Sequence, residues 1–334
     1  MLGYIVRRLI FMVLVIIGIS LVLFTVNYLL PGDPARAAAG WNATPEKVEA
    51  IRKRMGLDKP PHIQYLTYMW NLLRGDLGTS ILSNKPVIED IKTYLPASLE
   101  LVSMAMLLSV FVGISLGVFS ALKPGHLIDT ISRFFSTLGM GMPLFWAGLL
   151  GQLILSYKLK LLPFGGRLTP GVPSPPTVTG FYTIDALLVR DLSVFKDALM
   201  HLIMPAAVLA LPEAAVTSRL MRSSMLDVLS QDYIRTARAK GLIERRIIWV
   251  HAFKNALLAP LTMIGMQVGW MLGGSLLVES VFSWAGLGFF AYHGIYMRDF
   301  PVVMGFTLIM TGIFVLSSLV VDILYRYLDP RITY

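Results

Sequence analysis

Long apolar segments without charge recur along the chain, and a polar stretch precedes almost every one. Five of them contain no Asp, Glu, Lys or Arg, and a sixth contains only Glu213. Because a transmembrane helix needs roughly 20 predominantly apolar residues, we predict six spans. They are Leu9–Leu30, Leu101–Leu122, Phe134–Tyr157, Ala198–Ser218, Asn255–Val278 and Phe300–Val321. Ser280–Met297 is also uncharged but follows the fifth span without a spacer, so we interpret it as an outer loop with short helical pieces.

The distribution of Arg and Lys predicts the orientation, because cytoplasmic loops of membrane proteins carry an excess of these residues. With the N-terminus inside, Arg7-Arg8 and the eight basic residues between Arg219 and Lys254 are cytoplasmic. The short outer loop 279–299 then holds only Arg298. An even number of spans returns the C-terminus to the cytoplasm.

Composition supports a membrane protein. The chain is 55% hydrophobic and 15% charged, with a mean hydropathy of +0.68, whereas soluble domains are about 25% charged. We ascribe the net charge of +9 to a basic cytoplasmic face and expect no nucleic-acid partner. The absence of Cys excludes disulfides and thiolate metal sites. The first apolar run imitates a signal peptide but exceeds the usual 7–15 residues, so we expect a retained span.

Residues 31–98 are predicted to form a small helical insertion outside the membrane, between residues 1–30 and a permease core of residues 99–334. Pro31-Gly32-Asp33-Pro34 ends the first helix, and Thr44-Pro45-Glu46 is typical of a helix start. Val48, Ile51 and Met55 lie on one face of this helix, which Gly56 closes. A second amphipathic stretch carries Tyr65, Met69, Trp70 and Leu73 and stops at Gly75-Asp76-Leu77-Gly78. We expect its aromatic residues to anchor it to the membrane interface or to its own core.

A second outer segment, Lys158–Asp197, is dense in proline and glycine. This density predicts a loop and no regular element. Loops of this length are usually functional or disordered, and this one could receive a partner from outside.

The polar inner loop, residues 221–254, has the pattern of two helices joined by a turn. In the first, Asp227–Gly241, we expect Val228, Leu229 and Tyr233 to form an apolar face. Gly241 occupies a helix-terminating position. In the second, which starts at Glu244, the residues Ile247, Ile248 and Val250 are expected to pack on the bundle. The loop either sets topology alone or offers a docking surface to a soluble partner.

The stretch Asp232–Gly241 resembles the cytoplasmic loop of ABC importer permeases, and more narrowly the dipeptide/oligopeptide permease family with its glutathione and nickel members. The family's general motif places an EAA triplet three residues before a glycine. Here Arg235-Thr236-Ala237 precedes Gly241, so the last alanine and the glycine match. The Ile-Leu-Pro close is missing at its usual spacing, and residues 251–260 are similar to the peptide subfamily's own version.

The resemblance covers nearly the whole chain. Similar residues fall in the family's order at Arg7-Arg8, Pro31-Gly32-Asp33-Pro34, Gly56-Leu57-Asp58, Gly75-Asp76-Leu77-Gly78, Glu279–Trp284, Gly286-Leu287-Gly288 and Asp329-Pro330-Arg331. Ala285 departs from the pattern, because the family usually has proline there. Any single motif is weak, and their order and spacing together carry the resemblance.

The resemblance implies the type I ABC importer permease fold, an all-α membrane protein of six transmembrane helices in a prokaryotic inner membrane. It implies a second homologous permease subunit, two ABC ATPase subunits and an extracytoplasmic peptide-binding protein as partners. The ATPases would bind ATP and Mg, so this chain needs no cofactor. The implied ATPase-coupling residues are Asp232, Tyr233, Arg235, Thr236, Ala237, Arg238, Lys240 and Gly241. We expect packing around Tyr233 and Ala237 to outweigh exposed ion pairs.

Glu213, His201 and Gln267 are our candidates for the pathway or its gate. Ionisable residues within spans are functional candidates by default, and Pro205 and Pro212 are expected to interrupt the helix that holds Glu213. A structural role is the alternative for each candidate. Asp322 and Arg326 are spaced to pair. The small residues Gly265, Gly269, Gly273 and Gly274 predict a close helix contact.

Other classes of protein find less support in the sequence. It contains no phosphate-binding G-x-x-x-x-G-K-[ST] loop, zinc-binding H-E-x-x-H or G-x-S-x-G motif, so we expect no catalytic or metal site. A gradient-driven secondary transporter would favour paired intramembrane acids and inverted halves. Within the importer class, the substrate alternatives to peptides are glutathione, nickel and an oligosaccharide.

Overall fold

The computed structural model describes residues 2–29, 34–39, 43–54 and 56–328. Over these residues the regular structure is helical, apart from one bridge between Thr79 and Pro86. The prediction of an all-α membrane protein is confirmed. The predicted turn at 31–33 and the motif Asp329-Pro330-Arg331 lie outside the described residues, and so do Met55 and the side chains of Asp322 and Arg326.

The chain divides into two compact units. One unit comprises Met1–Leu95 and Phe290–Val315, and the other Pro96–Phe289 and Leu316–Tyr334. The first begins with four helices: Leu2–Leu29 (α1), Pro34–Ala39 (α2), Pro45–Arg54 (α3) and Pro61–Leu73 (α4). The helix start at Thr44-Pro45 is confirmed, because the Thr44 side chain accepts from the Lys47 amide (3.4 Å). Gly56 follows α3 with a φ of +68°, the left-handed geometry that favours glycine after a helix.

Further along the first unit, a buried carboxylate holds the segment that follows α4. Asp299 accepts from the Ser80 hydroxyl (2.7 Å) and the Leu82 amide (2.9 Å). Asp299 is followed directly by the last long helix, Phe300–Leu328, whose neighbour in sequence is the short helix Leu287–Tyr296. The short helical piece that we predicted within residues 280–297 agrees with this helix.

Four of the described helices have stretches long and apolar enough to cross a membrane. They are Val87–Leu122 (α5), Leu192–Leu229 (α9), Leu258–Val281 (α13) and the part Phe300–Leu319 of the last helix (α15). In α1, the residues Ile10–Val26 form a shorter apolar helix within the 28-residue element. The predicted spans one, two, four, five and six therefore correspond to helices.

The predicted third span is wrong as a single straight helix. It consists of Leu127–Gly141 (α6) and a second helix that begins at Leu144 (α7, Leu144–Gly151) and continues in π-helical form over Gln152–Lys158, bent by 112° from the first. Pro143 lies at the break. It lacks an amide proton and disfavours helical backbone at Met142, which is extended (φ −89°, ψ 122°).

Several predicted boundaries also need correction. α5 begins at Val87, upstream of Leu101, so the proposed domain boundary at 98/99 lies inside this helix. α13 begins at Leu258, after a short helix that holds Asn255. Pro205 and Pro212 do not interrupt α9, which continues through both. A proline can remain inside a membrane helix when neighbouring groups satisfy the freed carbonyls.

We predicted that the segment 158–197 is a loop throughout, and this prediction is wrong. It contains the helix Tyr182–Leu188 (α8), and α9 starts within it at Leu192. The Asp185 carboxylate accepts from the amides of Val178, Thr179 and Gly180. Burial acts to raise the pKa of Asp185, but these hydrogen bonds outweigh it and hold the pKa below its usual value. They therefore contribute to stability at neutral pH and are lost as the pH falls through the lowered pKa.

Two glycines allow α5 to pack closely on α9. A Cβ at Gly113 would lie 2.7 Å from Thr217 Cβ, and one at Gly117 would lie 2.6 Å from Met221 Cβ. Small residues at a spacing of four permit this approach between membrane helices. Our sequence analysis missed this pair and selected the α13 stripe, where a Cβ at Gly274 would lie 3.2 Å from Leu144 Cδ1 but Gly273 has nothing within 4 Å of its Cβ position.

Gly117→Ala should destabilise the protein by about 1–3 kcal/mol, the usual effect of overpacking. The added methyl would meet Met221 Cβ and the Ser218 carbonyl, and neither is the flexible end of a side chain. Gly273→Ala is the matched control. It introduces the same methyl into open space and should be neutral or stabilising, because alanine is the better helix former. Thermal unfolding of the two detergent-solubilised variants measures the difference, and equal midpoints would contradict close packing at Gly117.

Candidate functional site

The polar loop predicted at residues 221–254 continues α9 as far as Leu229, where this helix ends. The Ser230 hydroxyl donates to the Asp227 carbonyl (2.7 Å), and Gln231 has extended backbone. A new helix, Asp232–Ala239 (α10), follows. The predicted single helix Asp227–Gly241 is therefore wrong at residues 230–231. The buried and exposed faces of α10 are set independently of α9.

α10 is amphipathic, with a narrow buried face. Ile234 and Ala237, three residues apart, are buried. Tyr233 is 43% exposed, so its expected place on the apolar face is wrong. The remaining predicted coupling residues of the helix and its end are exposed, namely Asp232, Arg235, Thr236, Arg238 and Lys240. α10 thus presents a polar surface with one tyrosine.

A hydrophobic cluster lies beneath α10 and ties it to the long helices. Val228 and Leu229 pack against the cluster, as predicted. Its buried members come from α5, α9, α10 and the segment that follows α10: Val118, Ala121, Met221, Met225, Ile234, Ala237, Ile247, Ala252 and Ala256. Because apolar burial contributes about 25 cal/mol per Å², this cluster holds α10 firmly on the ends of two membrane helices.

A sharp turn at Gly241 follows α10, and its prediction is confirmed. Gly241 has a φ of +74°, and its amide donates to the Arg238 carbonyl (2.9 Å). The Leu242 amide donates to the Ala237 carbonyl (3.3 Å), which closes the helix end. Arg238 also forms an exposed ion pair with Glu244 (2.7 Å) across the turn.

The chain returns to the membrane through Glu244–Arg246 (α11), a π-helical segment Ile247–Ala252 and Phe253–Ala256 (α12). Ile247 is buried and Ile248 packs on the cluster, as predicted, but Val250 is 54% exposed and its predicted packing is wrong. The side-chain nitrogen of Asn255 donates to both the Tyr233 hydroxyl (3.0 Å) and the His251 carbonyl (2.9 Å). This amide holds the exposed tyrosine in place, a contact that the sequence did not reveal.

A buried ion pair fixes the last part of α9, ahead of α10. Asp129, near the start of α6, accepts from both Arg222 Nε (2.7 Å) and Nη2 (3.0 Å) of α9. The Ser120 hydroxyl at the end of α5 also donates to Asp129 (2.6 Å), and so does the Gly125 amide (2.9 Å). Three helices are therefore joined at the point from which α9 leads to α10.

The structure brings two of the three pathway candidates together. Gln267, buried in α13, donates to the Glu213 backbone carbonyl (3.0 Å) and the Thr217 hydroxyl (2.9 Å). Ser109 of α5 donates to its carbonyl oxygen (3.4 Å). His201 lies elsewhere in α9, where its Nδ1 is 2.9 Å from the Asp197 carbonyl.

Comparison with known proteins identifies the family. The sequence profile of the "binding-protein-dependent transport system inner membrane component" family matches residues 113–334, and the profile of its N-terminal component matches residues 1–102. The chain belongs to this family. As a member of this inner membrane component family, it is a multi-pass membrane protein with the role of a permease.

Similar permeases cover the whole length of the chain. A probable D,D-dipeptide transport system permease protein of Escherichia coli K12 is 44% identical over 96% of this chain and 94% of that protein. A dipeptide transport system permease protein of Alkalihalophilus pseudofirmus is 42% identical over 100% of both. A glutathione transport system permease protein of Salmonella choleraesuis is 35% identical, again over 100% of both.

In this inner membrane component, a second group of buried polar residues surrounds the turn after α13. The Glu279 carboxylate accepts from the Ser98 hydroxyl (2.6 Å) and the Phe289 amide (2.8 Å), and Ser98 accepts from the Leu287 amide (2.8 Å). The Trp284 ring nitrogen donates to the Ala97 carbonyl (2.9 Å). The sequence analysis noted Glu279, Trp284 and Leu287 only as members of two motifs. Their signal was a carboxylate at the end of an uncharged span.

The permease also contains a buried ion pair that the sequence did not reveal. Arg167 donates to Glu100 (2.7 Å) and to the Gly180 carbonyl (2.9 Å). Its guanidinium lies 3.5 Å from the Tyr182 ring centroid. Glu100 accepts in addition from the Thr183 amide (2.8 Å). These contacts fix much of the segment 159–183, which belongs to the loop that we expected could receive a partner from outside. Among the described residues, no group of three or more His, Cys, Asp or Glu could hold a metal ion.

Proposed function

We propose that this permease is the membrane-spanning subunit of an ATP-driven ABC importer for di- and oligopeptides. It forms half of the translocation pathway, and a second homologous permease forms the other half. The observation that carries the proposal is α10, a short helix whose inner face is anchored in the cluster under α5 and α9 while its outer face is polar and exposed. A soluble motor needs such a rigid contact to move a membrane bundle.

The exposed face of α10 is the surface that we assign to an ATPase subunit. Arg235 pairs with Asp232 (3.3 Å) and Arg238 with Glu244 (2.7 Å), all on the surface. Exposed pairs contribute little to stability, so these charges are available to pair with acidic residues of a partner. Tyr233 and Thr236 supply the central contact. Ala237 supports α10 from inside, since it packs within this chain.

An open groove beside the turn extends this surface. It has a volume of about 550 Å³ and is lined by Ile243, Arg245, Arg246, Trp249 and Val250. Exposed aromatic and arginine side chains are enriched in protein interfaces. We assign the groove to the margin of the same ATPase contact, which explains why Val250 and Trp249 are not packed inside the permease.

The proposed assembly places the inner loop and both termini in the cytoplasm of a prokaryotic cell. Two ATPase subunits bind ATP and Mg, and this chain itself carries out no hydrolysis. An extracytoplasmic binding protein delivers substrate to the opposite side. The peptide class rests on the names of similar permeases, which transport D,D-dipeptides, dipeptides or glutathione. Glutathione, nickel or an oligosaccharide is the alternative cargo for the same machinery.

Reconstitution tests the proposal. The chain, co-expressed with the second permease and the ATPases from neighbouring reading frames, should copurify with them. In liposomes the complex, with its binding protein, should accumulate a labelled dipeptide only when ATP is present on the ATPase side. Binding of dipeptide, glutathione, nickel and oligosaccharide to the isolated binding protein identifies the cargo. Transport by the purified chain alone, driven by an ion gradient, would contradict the assignment.

A further inference from the structure

Adjacent helices of the insertion differ sharply in charge. α3, Pro45–Arg54, contains Glu, Lys and Arg at six of its ten positions. α4, Pro61–Leu73, contains no Asp, Glu, Lys or Arg, although Asp58 and Lys59 precede it and Arg74 and Asp76 follow it. α3 suits water on most of its surface. α4 suits an apolar environment, with charged residues only at its ends.

α4 packs against the middle of the first membrane helix. The Tyr65 hydroxyl lies 3.0 Å from the Ser20 hydroxyl of α1, and its ring meets the Phe24 ring with centroids 5.3 Å apart. Ser20 also donates to the Met69 sulfur (3.4 Å), and the Tyr65 hydroxyl donates to the Ile17 carbonyl (3.4 Å). These contacts fix the level of α4 along α1.

That level lies well within the hydrocarbon core. Ser20 is near the centre of the uncharged segment Leu9–Leu30. At 1.5 Å per residue it is about 15 Å from either end, which is half of a hydrocarbon core of about 30 Å. A helix that touches Ile17, Ser20 and Phe24 of α1 cannot lie wholly above the membrane surface.

The face of α4 next to Tyr65 and Met69 carries a largely exposed apolar stripe. It consists of Ile63, Leu66, Trp70 and Leu73, with Leu66 65% and Leu73 76% exposed. Apolar residues of α1 such as Leu21 and Val22 are exposed as well, and such residues face lipid in a spanning helix. Arg74, at the end of α4, places its guanidinium 4.6 Å from the Trp70 ring centroid, as a charged group does when it reaches from a buried stem toward the interface.

Two polar side chains of α4 form hydrogen bonds within the segment, as a lipid environment favours. The exposed Thr67 hydroxyl donates to the Ile63 carbonyl (2.8 Å). The Gln64 amide donates to the Lys59 carbonyl (2.7 Å) and the Leu57 carbonyl (3.3 Å) in the turn before the helix. Tyr68 differs, because its buried hydroxyl has no hydrogen-bond partner among the described residues.

We propose that α4 is inserted in the bilayer leaflet on the side of the insertion, with Ile63, Leu66, Trp70 and Leu73 in contact with lipid acyl chains. The insertion is then divided, with α3 in water and α4 in lipid beside α1. Lipid is favoured over a protein partner because α4 contacts α1 at the level of the hydrocarbon core.

Spin labelling of the assembled importer tests this proposal. The sequence has no cysteine, so Leu66→Cys and Leu73→Cys each introduce one labelling site into this chain, at side chains whose exposure makes loss of packing small. Lys47→Cys on the exposed surface of α3 is the control. The complex with its partner subunits is labelled with a nitroxide and reconstituted in liposomes, and the spectrum of the equally treated unsubstituted complex is subtracted.

Accessibility of the nitroxide to oxygen and to a water-soluble nickel chelate distinguishes the environments. Oxygen partitions into lipid and the chelate into water, so the ratio of oxygen to nickel accessibility should be several-fold higher at positions 66 and 73 than at position 47. A ratio at 66 and 73 equal to that at 47 would place the stripe in water. Low accessibility to both reagents would show a covering protein. Either result overturns the proposal.

Discussion

Arg222→Met should destabilise the permease by about 3 kcal/mol, the lower end of the range for breaking a buried ion pair. The substitution leaves the buried Asp129 carboxylate with the Ser120 hydroxyl, the Gly125 amide and the more distant Arg133 (3.6 Å). We expect the lower end because the Arg222 side chain is 25% exposed and part of the pair already meets solvent or headgroups. Methionine retains an unbranched apolar stem, so the change in packing is small. Unfolding of the solubilised protein measures the loss.

The double variant Asp129→Leu with Arg222→Met is the control for charge. Replacing both partners of a buried pair by apolar residues is often neutral or stabilising, because no charge is left without a partner. The double variant should therefore be more stable than Arg222→Met alone. If removal of Asp129 gave no recovery, the loss would have to come from the shape of the arginine side chain rather than from the uncompensated carboxylate.

The features that the sequence predicted correctly are set by local composition. Uncharged runs of about 20 residues favour membrane helices, so five of the six predicted spans correspond mainly to single helices. Thr44-Pro45 starts α3 and Gly241 ends the turn after α10 because cap geometry depends on a few adjacent residues. The same holds for the absence of charge over α4, although its depth in the membrane follows only from the contact with Ser20.

The errors arose where distant contacts or a phase change decide the structure. Composition is uniformly apolar across Met142-Pro143, so the bend of 112° between α6 and α7 had only the proline as a signal. Asp129 and Arg222 are 93 positions apart, and no local pattern pairs them.

On α10, the assumed helix from Asp227 placed Tyr233 on the apolar face. The break at residues 230–231 resets the helical phase, so that Ile234 and Ala237 face the core instead. The predicted residue types were suitable for a coupling helix, but the assignment of inner and outer faces depended on one turn that the periodicity did not show.

Gly241→Val should abolish ATP-driven uptake and leave the assembly of the helices intact. At a φ of +74° glycine is unstrained, whereas a β-branched residue in this region is strained by about 1–3 kcal/mol. Nothing lies within 4 Å of the Cβ position, so valine meets no steric obstacle from the rest of the bundle. The strain is relieved if the turn opens, which breaks the hydrogen bond from Gly241 to the Arg238 carbonyl and redirects the segment after α10.

Gly241→Asn separates backbone conformation from the loss of glycine itself, because asparagine tolerates the left-handed region far better than valine does. It should retain most of the dipeptide uptake of the unsubstituted complex, measured in the same liposomes, while Gly241→Val retains little. Both variants should copurify with the ATPases in normal amounts, since Ile234 and Ala237 still anchor α10 in the cluster. A valine variant that transports normally would remove the turn from the coupling path. Equal loss in both variants would mean that the partner contacts the bare glycine surface, and the geometry of the turn would then not be the cause.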